Sequence, residues 1–197
     1  GVPIMVDAAA ERPDVPDRYI AAGADLVCYS GGKCLRGPQS AGLLLGRKDL
    51  VQAAFLNIAP HHALGRPMKV GKEEIMGMLA AMEMWVHGRD HKAEWREWER
   101  KLKYISDAVT SLPSVTTEVI QPHRPSNYAP SLYITWDQKM VKVSPQQVHE
   151  ALYNGEPGIE MPYSGNGMSI MSYMLEEGDE VPVAKRLHEI LSKAVTV

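Results

Sequence analysis

The chain has 197 residues, 45% of them hydrophobic and 23% charged, with 21 Lys plus Arg against 24 Asp plus Glu and a net charge of -3. A chain of this length buries roughly 70% of its unfolded surface, enough for a core without disulfides or a structural metal. The acidic balance offers no general attraction to nucleic acid or to an anionic membrane, and no apolar run approaches the roughly 18 residues of a spanning helix.

The start of the chain is apolar from Val2 to Val6 and lacks the basic-then-apolar order of a signal peptide. It begins with Gly and reads as cut from a longer sequence. Residues 3–6 are expected as a strand, and 15–22 as a helix closed by Gly23. The all-apolar run at 26–29 suits a strand buried on both faces, as in a parallel sheet with helical crossovers. Residues 42–45 form a third strand candidate and 50–55 a helix, an order that indicates an α/β sheet.

From 73 to 111 the density of Ala, Leu, Met, Glu and Lys predicts a long helix, broken near Gly88. Trp95, Trp98, Leu102 and Ile105 share one face and are read as a packing seam; Glu97 with Lys101 and Glu99 with Lys103 are expected to pair on the other. Beyond Pro113 come strands at 115–120 and 131–136, and a helix at 145–153 opening on Ser144-Pro145. Short runs around Ile159 and at 168–172 follow, with a turn at Gly165-Asn166-Gly167 and a final helix at 181–195. The organisation is therefore an α/β part over residues 1–88, then a linking helix and a smaller α+β C-terminal domain over 89–197.

The chemistry gathers at two strand ends. Asp7 ends the first strand, and Ser30-Gly31-Gly32-Lys33 follows the second. Ligands of α/β sheets bind at the carboxyl ends of strands, so an acid, a hydroxyl, two flexible glycines with N–H groups suited to an anion, and an amine converge on one edge. That set matches the needs of pyridoxal phosphate: a lysine for the Schiff base, a carboxylate for the pyridine nitrogen, and hydroxyl and N–H donors for the phosphate. Taken singly, Lys33 also reads as a turn lysine and Asp7 as a helix-capping acid. His61-His62, and His87 with His91, lack a third metal ligand, so no metal site is expected. Cys28 and Cys34 lack the partners of a zinc module or disulfide framework, and a cytoplasmic location is the expectation.

Four stretches carry a resemblance: Val6-Asp7-Ala8-Ala9; Gly23-Ala24-Asp25-Leu26-Val27; Ser30-Gly31-Gly32-Lys33; and Gly37-Pro38-Gln39-Ser40-Ala41-Gly42. Together with Gly65-Arg66-Pro67-Met68-Lys69-Val70-Gly71-Lys72-Glu73-Glu74, they resemble the cofactor core of the selenocysteine synthase family, close to its D-glucosaminate-6-phosphate ammonia-lyase-like branch. The match is dense to about residue 85 and looser afterwards. The resemblance implies part of an aspartate aminotransferase-like (pyridoxal-phosphate fold type I) large domain and a homo-oligomer. It implies that Lys33 holds pyridoxal 5'-phosphate, Asp7 pairs with the pyridinium nitrogen, Ala9 lies against the ring and Ser30 contacts the phosphate. Arg66 and Lys69 would stand on a loop reaching the phosphate or substrate of a neighbouring subunit.

The implied reaction is α-proton abstraction and β-elimination on a small amino acid or amino sugar acid, phosphorylated or not. The net charge and the Glu-interrupted run 96–103 weigh against the tRNA-dependent transferase alternative and against nucleic acid as a partner. Because six residues precede Asp7, the chain is expected to be the C-terminal half of a larger enzyme. The competing reading is a non-catalytic fragment or degenerate homologue.

Overall fold

A computed structural model describes residues 1–195, which form two units. The first comprises Gly1–Arg89 with Arg124–Tyr128, the second Asp90–His123 with the chain from Ala129 onward.

The first unit carries β1 (Met5–Asp7), α1 (Arg18–Ala21), β2 (Leu26–Ser30), β3 (Gly42–Gly46), α2 (Lys48–Leu56) and α3 (Lys72–Glu83). Helix α1 starts later than its apolar pattern suggests, because Asp17 takes the cap position and accepts the Tyr19 and Ile20 N–H groups. Its other carboxylate oxygen accepts the Tyr29 hydroxyl at 2.6 Å. The helix closes with Gly23 at φ +101, the Gly23 N–H donating to Ile20 O and the Ala24 N–H to Tyr19 O.

The sheet order is β1-β2-β3, with β1 parallel to β2. The parallel pairing that the 26–29 run suggests is formed between β1 and β2, whereas β3 runs antiparallel to β2. The connection over residues 31–41 holds no helix, and a parallel return needs a crossover of a dozen residues or more, usually helical. Strand β2 alternates buried and half-buried positions, with Val27 and Tyr29 facing the core beside Ala8, Leu35, Met78 and Trp85.

The long helix expected over 73–111 is split. Helix α3 passes into a π-helical turn at Met84–Gly88, Arg89 is extended, and α4 (His91–Thr110) begins afresh. Two local features cause this. The Arg89 N–H bonds back to Met84 O, and Asp90 caps α4 by accepting the Lys92 and Ala93 N–H groups.

The second unit adds β4 (Val115–Ile120), β5 (Ser131–Trp136), α5 (Pro145–Tyr153), β6 (Tyr163–Ser164), β7 (Gly167–Met171) and α6 (Glu180–Ala194). Its antiparallel sheet has the order β4-β5-β7-β6. Helix α5 opens with a capping box: the Gln147 N–H donates to Ser144 Oγ, and Gln147 Oε1 accepts the Ser144 N–H. The β6–β7 hairpin turns through Gly165, at φ +58, and Asn166. Ile159 lies in a loop and not in a strand; its N–H bonds Leu152 O and its side chain packs on the core.

That core joins Leu102, Ile105 and Val109 of α4 to Leu132 and Ile134 of β5 and to Leu187 and Leu191 of α6. Trp95 and Trp98 are half-buried and in tilted contact at 5.9 Å. The expected i,i+4 pairs on α4 do not form. Lys101 lies on the buried face and donates to Leu175 O and Glu176 O, so Glu97 instead pairs with Arg100, while Lys103 pairs with Asp107. No helix of the described residues is long and apolar enough to cross a membrane.

Arg100 also reaches buried Glu180 at 2.6 Å and holds its carboxyl below the ordinary value of 4.5. A carboxyl lowered in the fold binds fewer protons there than in the unfolded chain, so stability rises with pH in that range. The contribution of Glu180 is therefore complete above about pH 4.5 and lost as pH falls through its lowered value. Urea midpoints are expected to fall below pH 4.5, and a Glu180→Gln variant, weaker at pH 7, should show a shallower acid decline.

Candidate active site

The parallel pairing sets Asp7 opposite Cys28, with Ser30 two residues farther along β2, so both strands end side by side. The segment after β1 is stitched to this edge. The Ala8 N–H donates to Cys28 O at 2.9 Å and the Ser30 N–H to Ala9 O at 3.3 Å, while the Cys34 thiol donates to Ala10 O at 3.4 Å. Asp7, Ala9, Ser30 and the turn bearing Lys33 are thus brought to one place by backbone hydrogen bonds.

Asp7 Oδ1 accepts the Ala9 N–H at 3.0 Å, and Cys28 Sγ lies 3.9 Å from the same oxygen. Among the described residues Asp7 Oδ2, the Ser30 hydroxyl and the Lys33 amine have no hydrogen-bond or ion-pair partner. Asp7 and Lys33 are exposed and Ser30 is half-buried. An uncommitted amine, carboxylate oxygen and hydroxyl on one strand edge form the donor set that an aldehyde with a basic ring nitrogen and a phosphate requires, so these residues fit pyridoxal phosphate.

The two glycines before Lys33 serve packing more than anion binding. The Gly31 N–H is already given to Ala41 O, and a Cβ there would meet Ala41 O at 2.7 Å and Pro38 O at 2.8 Å. A Cβ on Gly32 would run into the Gln39 side chain. The Gly-Gly pair lets residues 30–35 lie directly on the loop 37–41.

Arg66 and Lys69 stand on the segment between α2 and α3. Arg66 begins a short 3-10 turn (Arg66–Met68) and donates to Pro60 O at 2.6 Å. Lys69 lines a mostly apolar cleft of about 340 Å³ with Leu43, Ile58, Val70, Ile75 and Leu79. Neither shares a hydrogen bond with Asp7, Ser30 or Lys33. Among the described residues no three His, Cys, Asp or Glu side chains gather as metal ligands.

Sequence reasoning passed over a second cluster beside the Lys33 turn. The Arg12 guanidinium lies 5.4 Å from the centre of the Trp85 ring and 5.8 Å from that of Tyr128, and Arg89 lies 4.8 Å from Trp85. Trp85 is 5% exposed and donates to Pro13 O, and Arg89 donates to Cys34 O at 3.2 Å. The one sequence signal was an Arg five residues after Asp7. Burial pushes the Cys34 thiol up, against the pull of Arg12, Arg89 and Lys33.

The architecture and this edge can now be set beside known proteins. The solved D-glucosaminate-6-phosphate ammonia-lyase matches with a TM-score of 0.76 at 26% identity, over 98% of this chain and 50% of that one. A cysteine desulfurase from Thermococcus onnurineus NA1, at 0.53 and 16% over 98% and 53%, shares the fold alone. The fold class is accordingly that of the pyridoxal-phosphate fold-type I enzymes.

A family model described as SelA, L-seryl-tRNA selenium transferase, matches residues 8–110, just over half of the chain, and the chain belongs to that family of enzymes. Among curated relatives, a 5'-C-glycyluridine monooxygenase-decarboxylase of Streptomyces sp is 38% identical over 61% of this chain and 29% of its own length. The D-glucosaminate-6-phosphate ammonia lyase of Salmonella typhimurium is 27% identical over 98% of this chain and 50% of its own. The chain thus spans half or less of the length of these relatives.

Proposed function

We propose that this chain forms part of a pyridoxal-phosphate-dependent lyase that removes the α-proton of a small amino acid or amino sugar acid and eliminates a group from its β-carbon. The observation that carries this reading is the pair of uncommitted groups, Asp7 Oδ2 and the Lys33 amine, at adjacent ends of parallel strands. When bound, pyridoxal phosphate supplies an electron sink for the pair left as a Cα–H bond breaks.

The chain's own residues supply the rest. Lys33 Nζ would hold the cofactor through its aldehyde, and, tethered beside the substrate, this amine would take the proton from Cα. The resulting ammonium then delivers a proton to the leaving group on Cβ. Asp7 Oδ2, left without a partner while Oδ1 accepts the Ala9 N–H, would accept a hydrogen bond from the protonated ring nitrogen. The Ser30 hydroxyl donates to the phosphate, and Ala9 borders the ring.

A small, anionic substrate of the kind named for the Salmonella typhimurium relative fits this reading better than a tRNA. Transfer to seryl-tRNA requires a basic surface, whereas Arg100 is matched by Glu97 and Glu180, and Lys103 by Asp107. We read the protein as cytoplasmic and homo-oligomeric, with Arg66 and Lys69 facing a neighbouring subunit. The exposed apolar residues Leu64, Met68 and Ile75 in the same region support such an interface.

Borohydride reduction of the full-length protein loaded with pyridoxal phosphate, followed by peptide mapping, tests the assignment. A pyridoxyl group on Lys33, with keto acid and ammonia released from D-glucosaminate 6-phosphate, is expected. A colourless, unlabelled protein would instead identify a non-catalytic homologue.

A further inference from the structure

The loop after β1 holds three charged side chains besides Arg12, and all are committed. Glu11 accepts the Tyr19 hydroxyl, Asp14 pairs with Arg18, and Asp17 caps α1 while accepting the Tyr29 hydroxyl. Arg12 alone has neither a carboxylate partner nor a hydrogen bond among the described residues. Its other charged neighbours, Arg89 and Lys33, carry the same sign and act with it on the Cys34 thiol.

A half-buried guanidinium without an anion is a costly arrangement unless something offsets it. The rings of Trp85 and Tyr128 do so in part. Both rings are fixed. Trp85 is anchored through Pro13 O, and Tyr128 belongs to the segment 124–128, which is tied to the β1 loop by the Glu11–Ser126 bridge and by the Asn127 N–H donating to Ala10 O at 2.9 Å. The N–H donors of Arg12 have no acceptor among the described residues, which leaves them for a planar or tetrahedral oxyanion.

We propose that Arg12 is the specificity residue of this site, binding a carboxylate or phosphate group of the substrate while Trp85 and Tyr128 hold its guanidinium in place. The proposal rests on the reading of Lys33 as the cofactor lysine, because Arg12 is placed beside the Lys33 turn through Ala10, Cys34 and Arg89. Bidentate contact of an arginine with an oxyanion combines charge and geometry, so lysine at this position supplies the charge without the fork.

The test is calorimetric titration of the full-length protein with D-glucosaminate, which carries only a carboxylate, and with D-glucosamine 6-phosphate, which carries only a phosphate. The wild-type protein is expected to bind one of the two. Arg12→Gln should raise the Kd of that probe at least tenfold and Arg12→Lys by less, with thermal midpoints near wild type for Arg12→Lys and with pyridoxal phosphate held equally well by all three proteins. The probe that responds identifies the group. Equal Kd values in wild type and Arg12→Gln, no binding of either probe to wild type, or a loss of cofactor affinity in Arg12→Gln would overturn the proposal. Failure to find cofactor on Lys33 would overturn the underlying reading separately, since the titration reads Arg12 with or without cofactor.

Discussion

Lys33→Ala is expected to leave the full-length protein folded while removing its covalently held cofactor and its turnover. The side chain is exposed in the turn over residues 31–35 and makes no hydrogen bond or ion pair among the described residues, so its removal should change stability by no more than about 0.5 kcal/mol. The cost to activity is of another order. A positioned acid–base group contributes about 10²- to 10⁴-fold, and the same amine is the attachment point. Visible absorbance of the lysine-bound cofactor, borohydride labelling and release of keto acid from D-glucosaminate 6-phosphate should therefore vanish together, with the far-ultraviolet circular dichroism and thermal midpoint unchanged. Persisting absorbance or labelling would remove Lys33 from the site.

The second large effect is structural. Gly46 ends β3 at φ +138, paired with Leu26, and a Cβ there would be driven into the Asp25 carbonyl oxygen while approaching Leu26 Cα at 2.9 Å. That carbonyl is held by the Arg47 N–H, and the Asp25 carboxylate accepts both Arg47 Nη1 and the Ile4 N–H, so neither side of the collision can yield without breaking the β2–β3 pairing where β2 begins and β3 ends. Gly46→Ala should lose about 3 kcal/mol or more, from an unfavourable φ and a backbone clash together. Gly178→Ala provides the comparison, since Gly178 also has a positive φ, +90, but a Cβ there meets nothing within 4 Å. Its expected cost is about 1 kcal/mol. Equal denaturation midpoints for the two variants would show that the contact at Gly46 is relaxed at no cost.

Local signals in the chain were sufficient wherever one stretch of sequence contained the whole interaction. The helix start at Ser144-Pro145, the Gly23 helix closure and the turn at Gly165-Asn166 each need only neighbouring residues, and each forms where its residues stand. The strand ends bearing Asp7 and Lys33 were legible for a related reason: a short apolar run followed by a polar residue marks a sheet edge before any partner strand is known.

Other features depend on distant partners. The direction of β3 follows from a helix-free connection closing back on β2, which apolar patterning does not specify. Lys101 was read as half of a surface pair, but its position on α4 turns it inward to carbonyls more than seventy residues away. The setting of Arg12 is the same case at the candidate site. Its sequence shows only a charged residue in a turn, while its aromatic partners come from residues 85 and 128.

By itself, then, the sequence determined the α/β class, the Gly23 closure and the Gly165-Asn166 turn, and the presence of an acid and an amine at two strand ends. Only the tertiary structure decided which polar atoms remain uncommitted. Whether a charge is available to a ligand depends on every group that could satisfy it first, and those groups are brought together only when the chain is folded.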